Sequence, residues 1–149
     1  DVGYERFLAT EMFFNPEIYS SDFTKPLPVV VDDAILGCPV DTRRALYSNI
    51  VLSGGSTLFT NFRSRLQREI KTLVSDRIAA NWKRHKAATA PPEMKVEVCK
   101  HDMQRYAVWF GGSMLASDGA FHRMCHTKAQ YMEEGPRIAR HNPVFSVTF

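Results

Sequence analysis

The stretch from Asn49 to Leu73 constrains this chain more than any other. Asn49-Ile50-Val51-Leu52-Ser53 is a brief, apolar, partly β-branched run that meets Gly54-Gly55. Such a run reads as a buried strand entering a glycine turn. After Ser56-Thr57, the residues Phe59, Phe62, Leu66, Ile70 and Leu73 recur at helical spacing, with Arg63, Arg65, Arg68, Glu69 and Lys71 largely filling the other positions. Strand, Gly-Gly-Ser-Thr and amphipathic helix are the best-defined local unit.

A strand that ends in two glycines lets a ligand approach the backbone closely. A helix starting beyond them would offer unpaired N–H groups and a positive dipole end to phosphate or ribose oxygens. A plain strand-to-helix turn, with Ser56 or Thr57 capping the helix, fits the same residues. The turn is not a Walker A loop, because no Gly-Lys-Ser/Thr follows. Neither Gly-Gly-Ser site is a nucleophile elbow, since Leu58 and Leu115 stand where the last glycine of G-x-S-x-G belongs.

Around this unit the pattern predicts further helices. Phe7, Leu8, Met12 and Phe14 are expected roughly on one side within residues 4–14, and Asn15-Pro16 stops that segment. LPVVVDDAIL is read as a short helix ending at Gly37, and Asp41 as an N-cap candidate ahead of residues 42–47. Lys95 to Cys99 alternates polar and apolar residues, the pattern of a half-buried strand. Residues 105–117, RYAVWFGGSMLAS, read as a buried helix, with Tyr106, Trp109 and Phe110 in a core. One helical turn is expected over 121–125, and a short polar-faced helix over 128–134, ended by Gly135-Pro136. The basic, then proline-rich residues 81–92 read as an exposed insertion, and the tail HNPVFSVTF as irregular.

Charge and composition narrow the function classes. With 19 Lys+Arg against 16 Asp+Glu, the net charge of +3 is too weak a bias to argue for nucleic acid. No apolar run approaches the ~20 residues that span a bilayer, so membrane insertion is not expected. The polar N-terminus lacks a signal-peptide pattern, and Asp1 is not expected to be a native start. Three widely separated cysteines, Cys38, Cys99 and Cys125, read as free thiols of a reducing compartment. Cys99-x-His101 and His122-x-x-Cys125-His126 match no standard zinc spacing, so no metal site is assigned. Lys83-Arg84-His85-Lys86 beside Trp82 reads as a solvated loop, and Asp32-Asp33 and Glu133-Glu134 as caps or solvated faces. No complete catalytic set emerges, and no catalytic residue is assigned.

Two long runs carry a resemblance to a known family. Asn49 to Phe59, NIVLSGGSTLF, resembles the adenosine-side turn of the actin superfamily, and Gln104 to Ser117, QRYAVWFGGSMLAS, resembles the helix that follows it there. The opening DVGYERFL, the insertion around Trp82 to Pro92 and the ending CHTK with RHNPVF look like an actin-related protein more than conventional actin. The resemblance implies an α/β chain with an incomplete actin-like ATPase (ribonuclease H-like) fold, mostly helices around short strands. It implies the final third of a longer protein, with about 1–22 ending subdomain 4, 23–105 making most of subdomain 3, and 106–149 the C-terminal part of subdomain 1. ATP, with magnesium in the full-length protein, is the implied ligand. Gly54, Gly55 and Ser56 would lie beside the sugar and phosphates, Leu58 and Phe59 would face the base, and Arg105 would border the adenine where actin has a lysine. The implied partners are actin, actin-related protein 2 and other subunits of a complex that nucleates branched filaments in the cytoplasm and cytoskeleton, with no nucleic acid. In such a protein ATP acts as a clamp with slow hydrolysis. A sugar kinase or chaperone ATPase of the wider superfamily, or a free-standing basic module built on Trp82 to Lys86, are the rival readings.

Overall fold

The computed structural model describes residues 1–85 and 92–141, and the chain divides into two units, Asp1–Arg105 and Tyr106–Phe149. The first unit runs α1 (Glu5–Glu11), α2 (Leu27–Leu36), α3 (Val40–Tyr47), β1 (Ile50–Val51), α4 (Phe62–His85) and β2 (Val98–Cys99). Short 3-10 turns lie at Pro16–Ile18, Gly55–Thr57 and Gln104–Tyr106. β1 and β2 pair in parallel, Ile50 opposite Val98 and Val51 opposite Cys99, with α4 as the crossover between them. A parallel pair needs such a long connection, because a tight turn can only reverse the chain.

The core is organised by α4. Phe62, Leu66, Ile70 and Val74 are its buried residues and step by four, which puts them on one stripe. They pack with Phe14, Ile35, Tyr47, Leu52, Val96 and Val98. Phe62 also meets the Phe13 ring edge-on at 5.3 Å between centroids, a preferred aromatic geometry. Along β2, Val96 and Val98 are buried while Lys95 is exposed, as the alternation predicts. The strand expected at 49–53 shrinks to Ile50–Val51, and it is not buried on both faces, since Val51 is exposed.

Two local starts differ from the sequence reading. The long helix begins at Phe62 and not after Thr57, and Phe59 lies outside it. Asn61 takes a left-handed φ of 62°, which a helix cannot continue through, and its carbonyl accepts from Arg65 N at 2.9 Å. Asp41 is not an N-cap: Pro39 holds that place, and Asp41 sits in the first turn of α3, where a carboxylate favours the positive helix end. LPVVVDDAIL ends at Gly37 as expected. Residues 81–85 belong to the last turns of α4 and not to a loop, because the helix runs on past the last buried side chain. Residues 86–91 and 142–149, the rest of the expected insertion and nearly all of the tail, lie outside the described residues.

Asp32 is the other departure. It is buried, not a solvated cap. Tyr47 Oη donates to its Oδ1 at 2.6 Å, and Arg77 holds both of its carboxylate oxygens while also donating to Tyr47 Oη at 2.9 Å. One ionic cluster thus ties α2, α3 and α4 together. At the other end of α4, Arg65 grips both oxygens of Glu11, pairs with Glu69 at 2.8 Å and lies 4.0 Å over the Phe14 ring. The Arg65 bonds hold the Glu11 carboxyl below the usual carboxylate range.

The second unit contains α5 (Ala107–Ser117), α6 (Phe121–Met124) and α7 (Lys128–Glu134), followed by a 3-10 segment, Gly135–His141. α7 starts on a reciprocal cap, Thr127 Oγ1 accepting from Gln130 N while Gln130 Oε1 accepts from Thr127 N. α5 is helical as expected but not buried: Val108 is 83% and Trp109 71% exposed, and Tyr106, Phe110, Met114 and Leu115 are exposed as well. An apolar helix reads as a core helix from sequence, but burial needs a partner surface, and among the described residues none covers this face.

Burial, then the hydrogen bond to Asp32, pushes the Tyr47 phenol up to about 12. The unfolded chain releases that proton near ~10, so the stability it contributes is whole below pH ~10 and is lost as pH rises towards 12. The urea midpoint is expected to fall across that interval, with a shallower fall for Tyr47→Phe; equal slopes would disprove the coupling. Arg77→Leu, which leaves Asp32 buried without its cation, is expected to cost about 3 kcal/mol in the same measurement.

Candidate functional site

The glycine turn is built where β1 runs out. Leu52 N donates to Cys99 O at 2.9 Å, the last ladder bond, and Gly54 N then donates to Gln104 O at 2.9 Å. Gly54 has φ 89° and ψ 156°, a combination essentially restricted to glycine. Thr57 Oγ1 donates back to Gly54 O at 2.7 Å and accepts from Gln104 Nε2. The turn is therefore fixed from two sides, by its own 3-10 segment and by Gln104.

Gln104 is the residue that sequence reasoning misses. It is only 2% exposed, and its backbone carbonyl and side-chain amide both hold the turn. Its Oε1 is buried with no hydrogen-bond partner among the described residues. No periodicity marks it, because a single buried amide leaves no pattern; its one signal is its place beside Arg105 after the second strand.

The six expected site residues fall into two neighbouring groups. Leu58 and Phe59, 53% and 43% exposed, line a cavity of about 260 Å³ with Thr57, Thr60, Lys100 and Gln104 among its other walls. Gly54, Gly55, Ser56 and Arg105 are not among its lining residues; the first three lie in the adjoining turn, and Arg105 lies in the 3-10 segment Gln104–Tyr106. A Cβ built on Gly54 meets nothing within 4 Å, and one on Gly55 comes no closer than 3.9 Å to Arg105 Cγ. Backbone, an exposed Ser56 hydroxyl and the Arg105 side chain thus stand beside an apolar wall. The start of α4 at Phe62 removes the long-helix dipole from the glycine turn, where a 3-10 turn follows instead. No group of three or more His, Cys, Asp or Glu among the described residues could hold a metal ion.

This strand, glycine turn and second strand are found with a match over nearly the whole chain: the actin family profile covers residues 1–142. The chain belongs to the actin family. It is 57% identical over 145 residues to actin-related protein 3 of Drosophila melanogaster and to that of Oryza sativa subsp. indica. It is 59% identical over 144 residues to actin-related protein 3 of Dictyostelium discoideum. These matches cover 97% of this chain but only 34 or 35% of each relative. The chain spans about a third of the length of the curated relatives it matches.

Proteins of the actin family bind ATP. The residues present are compatible with the base and sugar of a nucleotide: an apolar wall at Leu58 and Phe59, a backbone open to approach at Gly54 and Gly55, and the Arg105 side chain near Gly55.

The two glycines have different duties. Gly54→Ala is expected to destabilise the fold by about 1–3 kcal/mol, because it forces alanine into a backbone region it avoids. Gly55→Ala, with no contact closer than ordinary van der Waals distance, is expected to change stability by less than ~1 kcal/mol. Chemical denaturation of the two variants checks this, and equal losses would refute it.

Proposed function

We propose that this chain is the C-terminal part of an actin-related protein 3-like subunit that binds ATP and, with actin-related protein 2 and other subunits, nucleates branched actin filaments in the cytoplasmic cytoskeleton. The observation that carries the reading is the 57% identity over 97% of the chain to actin-related protein 3. A sugar kinase or chaperone ATPase sharing only the adenosine turn would not match from end to end. In this reading residues 1–22 end subdomain 4, residues 23–105 make most of subdomain 3, and residues 106–149 form the C-terminal part of subdomain 1. The exposed apolar face of α5 is then covered by the remaining two-thirds of the full-length protein.

The role of each site residue follows from what it presents. Gly54 and Gly55 let the sugar and phosphates approach the backbone, and Ser56 offers a hydroxyl to them. Leu58 and Phe59 form the apolar wall on the base side, and Arg105 borders the adenine. The bound nucleotide would supply a polyanion that ties two halves of a longer protein together, with magnesium and the remaining phosphate contacts supplied by residues outside this chain. This chain positions one side of the ligand and contributes no catalytic group, so the nucleotide serves as a conformational clamp with slow hydrolysis.

In the full-length protein, Leu58→Asp with Phe59→Asp is expected to weaken ATP binding roughly tenfold or more, since charges replace the apolar wall. Circular dichroism verifies that the variant is folded. The 149-residue chain alone is expected to show no micromolar ATP binding by isothermal titration. Unchanged affinity in the full-length variant would overturn the placement of the base, and micromolar binding by the chain alone would overturn the two-sided clamp.

A further inference from the structure

Among the described residues, Asp32 and Gln104 are the buried polar or charged side chains, and their surroundings differ in kind. The Asp32 carboxylate is met by Tyr47 and Arg77. Gln104 makes one side-chain hydrogen bond among the described residues, its Nε2 donating to Thr57 Oγ1, and its Oε1 is left buried without a partner. An interior carbonyl that gives up water and gains nothing costs about as much as the single bond of the amide returns. An apolar side chain of the same length would pack there without that loss. Stability alone therefore does not account for an amide at this position, and the geometry it imposes on Thr57 does.

Thr57 Oγ1 is the centre of a relay. It accepts from Gln104 Nε2 and donates to Gly54 O at 2.7 Å, with Ser53 O farther off at 3.4 Å. The backbone carbonyl of Gln104 accepts from Gly54 N at 2.9 Å. One residue thus restrains both polar groups of the Gly54 backbone, the N–H directly and the carbonyl through Thr57. Gly54 supplies no restraint of its own, since it has no side chain and the space where a Cβ would stand is open. Thr57 is also the residue before the apolar wall, and Gln104, Thr57, Leu58 and Phe59 all line the same cavity. The relay therefore fixes the glycine turn and the wall relative to each other.

We propose that Gln104 is a positioning residue for the nucleotide, acting through the Thr57 hydroxyl to hold the turn and the Leu58–Phe59 wall at the spacing that the ligand requires. The proposal rests on the nucleotide reading above and adds a residue outside the six expected at the site. The chemistry of the relay sets its own rules. The group at 57 must accept and donate at once, which a serine hydroxyl does as well as a threonine one. A valine of the same shape does neither. The side chain of Gln104 has no other hydrogen bond through which to act among the described residues, so its effect on the ligand vanishes once that hydroxyl is gone.

The test titrates ATP into the full-length protein by calorimetry and, separately, unfolds the nucleotide-free protein in urea. Gln104→Met is expected to weaken ATP binding roughly fivefold while leaving the urea midpoint unchanged or raised, because the unpaired carbonyl goes with the amide. Thr57→Val is expected to weaken binding at least as much, and Thr57→Ser to keep it within about twofold. In the Thr57→Val background, Gln104→Met is expected to add nothing. Gln67→Met, which removes the acceptor for Val98 N away from the turn, is the structural control and is expected to lower the midpoint with ATP affinity intact. A lost fold or lowered midpoint in Gln104→Met, or additive losses in the double variant, would overturn the proposal. Full ATP affinity in the Leu58→Asp with Phe59→Asp variant would remove the nucleotide placement and this inference together. A loss in that variant with full affinity in Gln104→Met would remove this inference alone.

Discussion

The carboxylate of Asp32 is the point on which the first unit turns. A charge at that depth is costly unless its lone pairs are met and a cation is at hand. Tyr47 and Arg77 supply both, from two different helices. The three side chains only meet if α2, α3 and α4 are docked in one register. The cluster therefore selects the packing as much as it stabilises it, and an apolar contact alone would tolerate sliding of one helix past another. Arg65 does the equivalent at the other end of α4, where it joins Glu11 of α1 and the Phe14 ring.

With both ends pinned, α4 can serve three purposes on three sides. Its apolar stripe closes the core over β1 and β2. A second line of side chains, Arg63 and Gln67, satisfies the carbonyl and amide of Val98 on the strand edge that β1 does not reach. An unpaired strand edge invites adventitious pairing, and two side chains suffice to close it here because the strand is so short. The remaining outward line, with Arg68 and Lys71, is exposed to solvent.

The glycine turn depends on the same framework. Leu52 is buried in the core and Gly54 is held by Gln104, so the open loop begins from a fixed base. That is what a ligand-facing turn needs: freedom from side chains where the ligand approaches, and rigidity just behind it. The second unit differs in kind. Of its helices α7 alone starts on a side-chain cap among the described residues, while the apolar face of α5 stays exposed. In the full-length reading that face is an internal surface of a larger fold, which accounts for why a helix so rich in valine, tryptophan, phenylalanine and methionine lacks a polar side.

Much of this was legible in the residues. The stepping apolar positions from Phe62 to Ile70, the Gly37 stop, the alternation before Cys99 and the glycine turn all act through neighbours in sequence, so local pattern carries them. Three things were decided only by the tertiary structure. Asp32 looked like a solvated acid, because the partners that bury it lie on other helices. Phe59 continued the helical spacing, yet Asn61 at positive φ keeps the helix from starting before Phe62. Gln104 showed no pattern at all, since its contacts with Gly54 and Thr57 close a long loop in sequence. Periodicity records which face of an element is apolar; it is silent on what meets that face, and so α5, apolar throughout, could be read as helix but not as exposed.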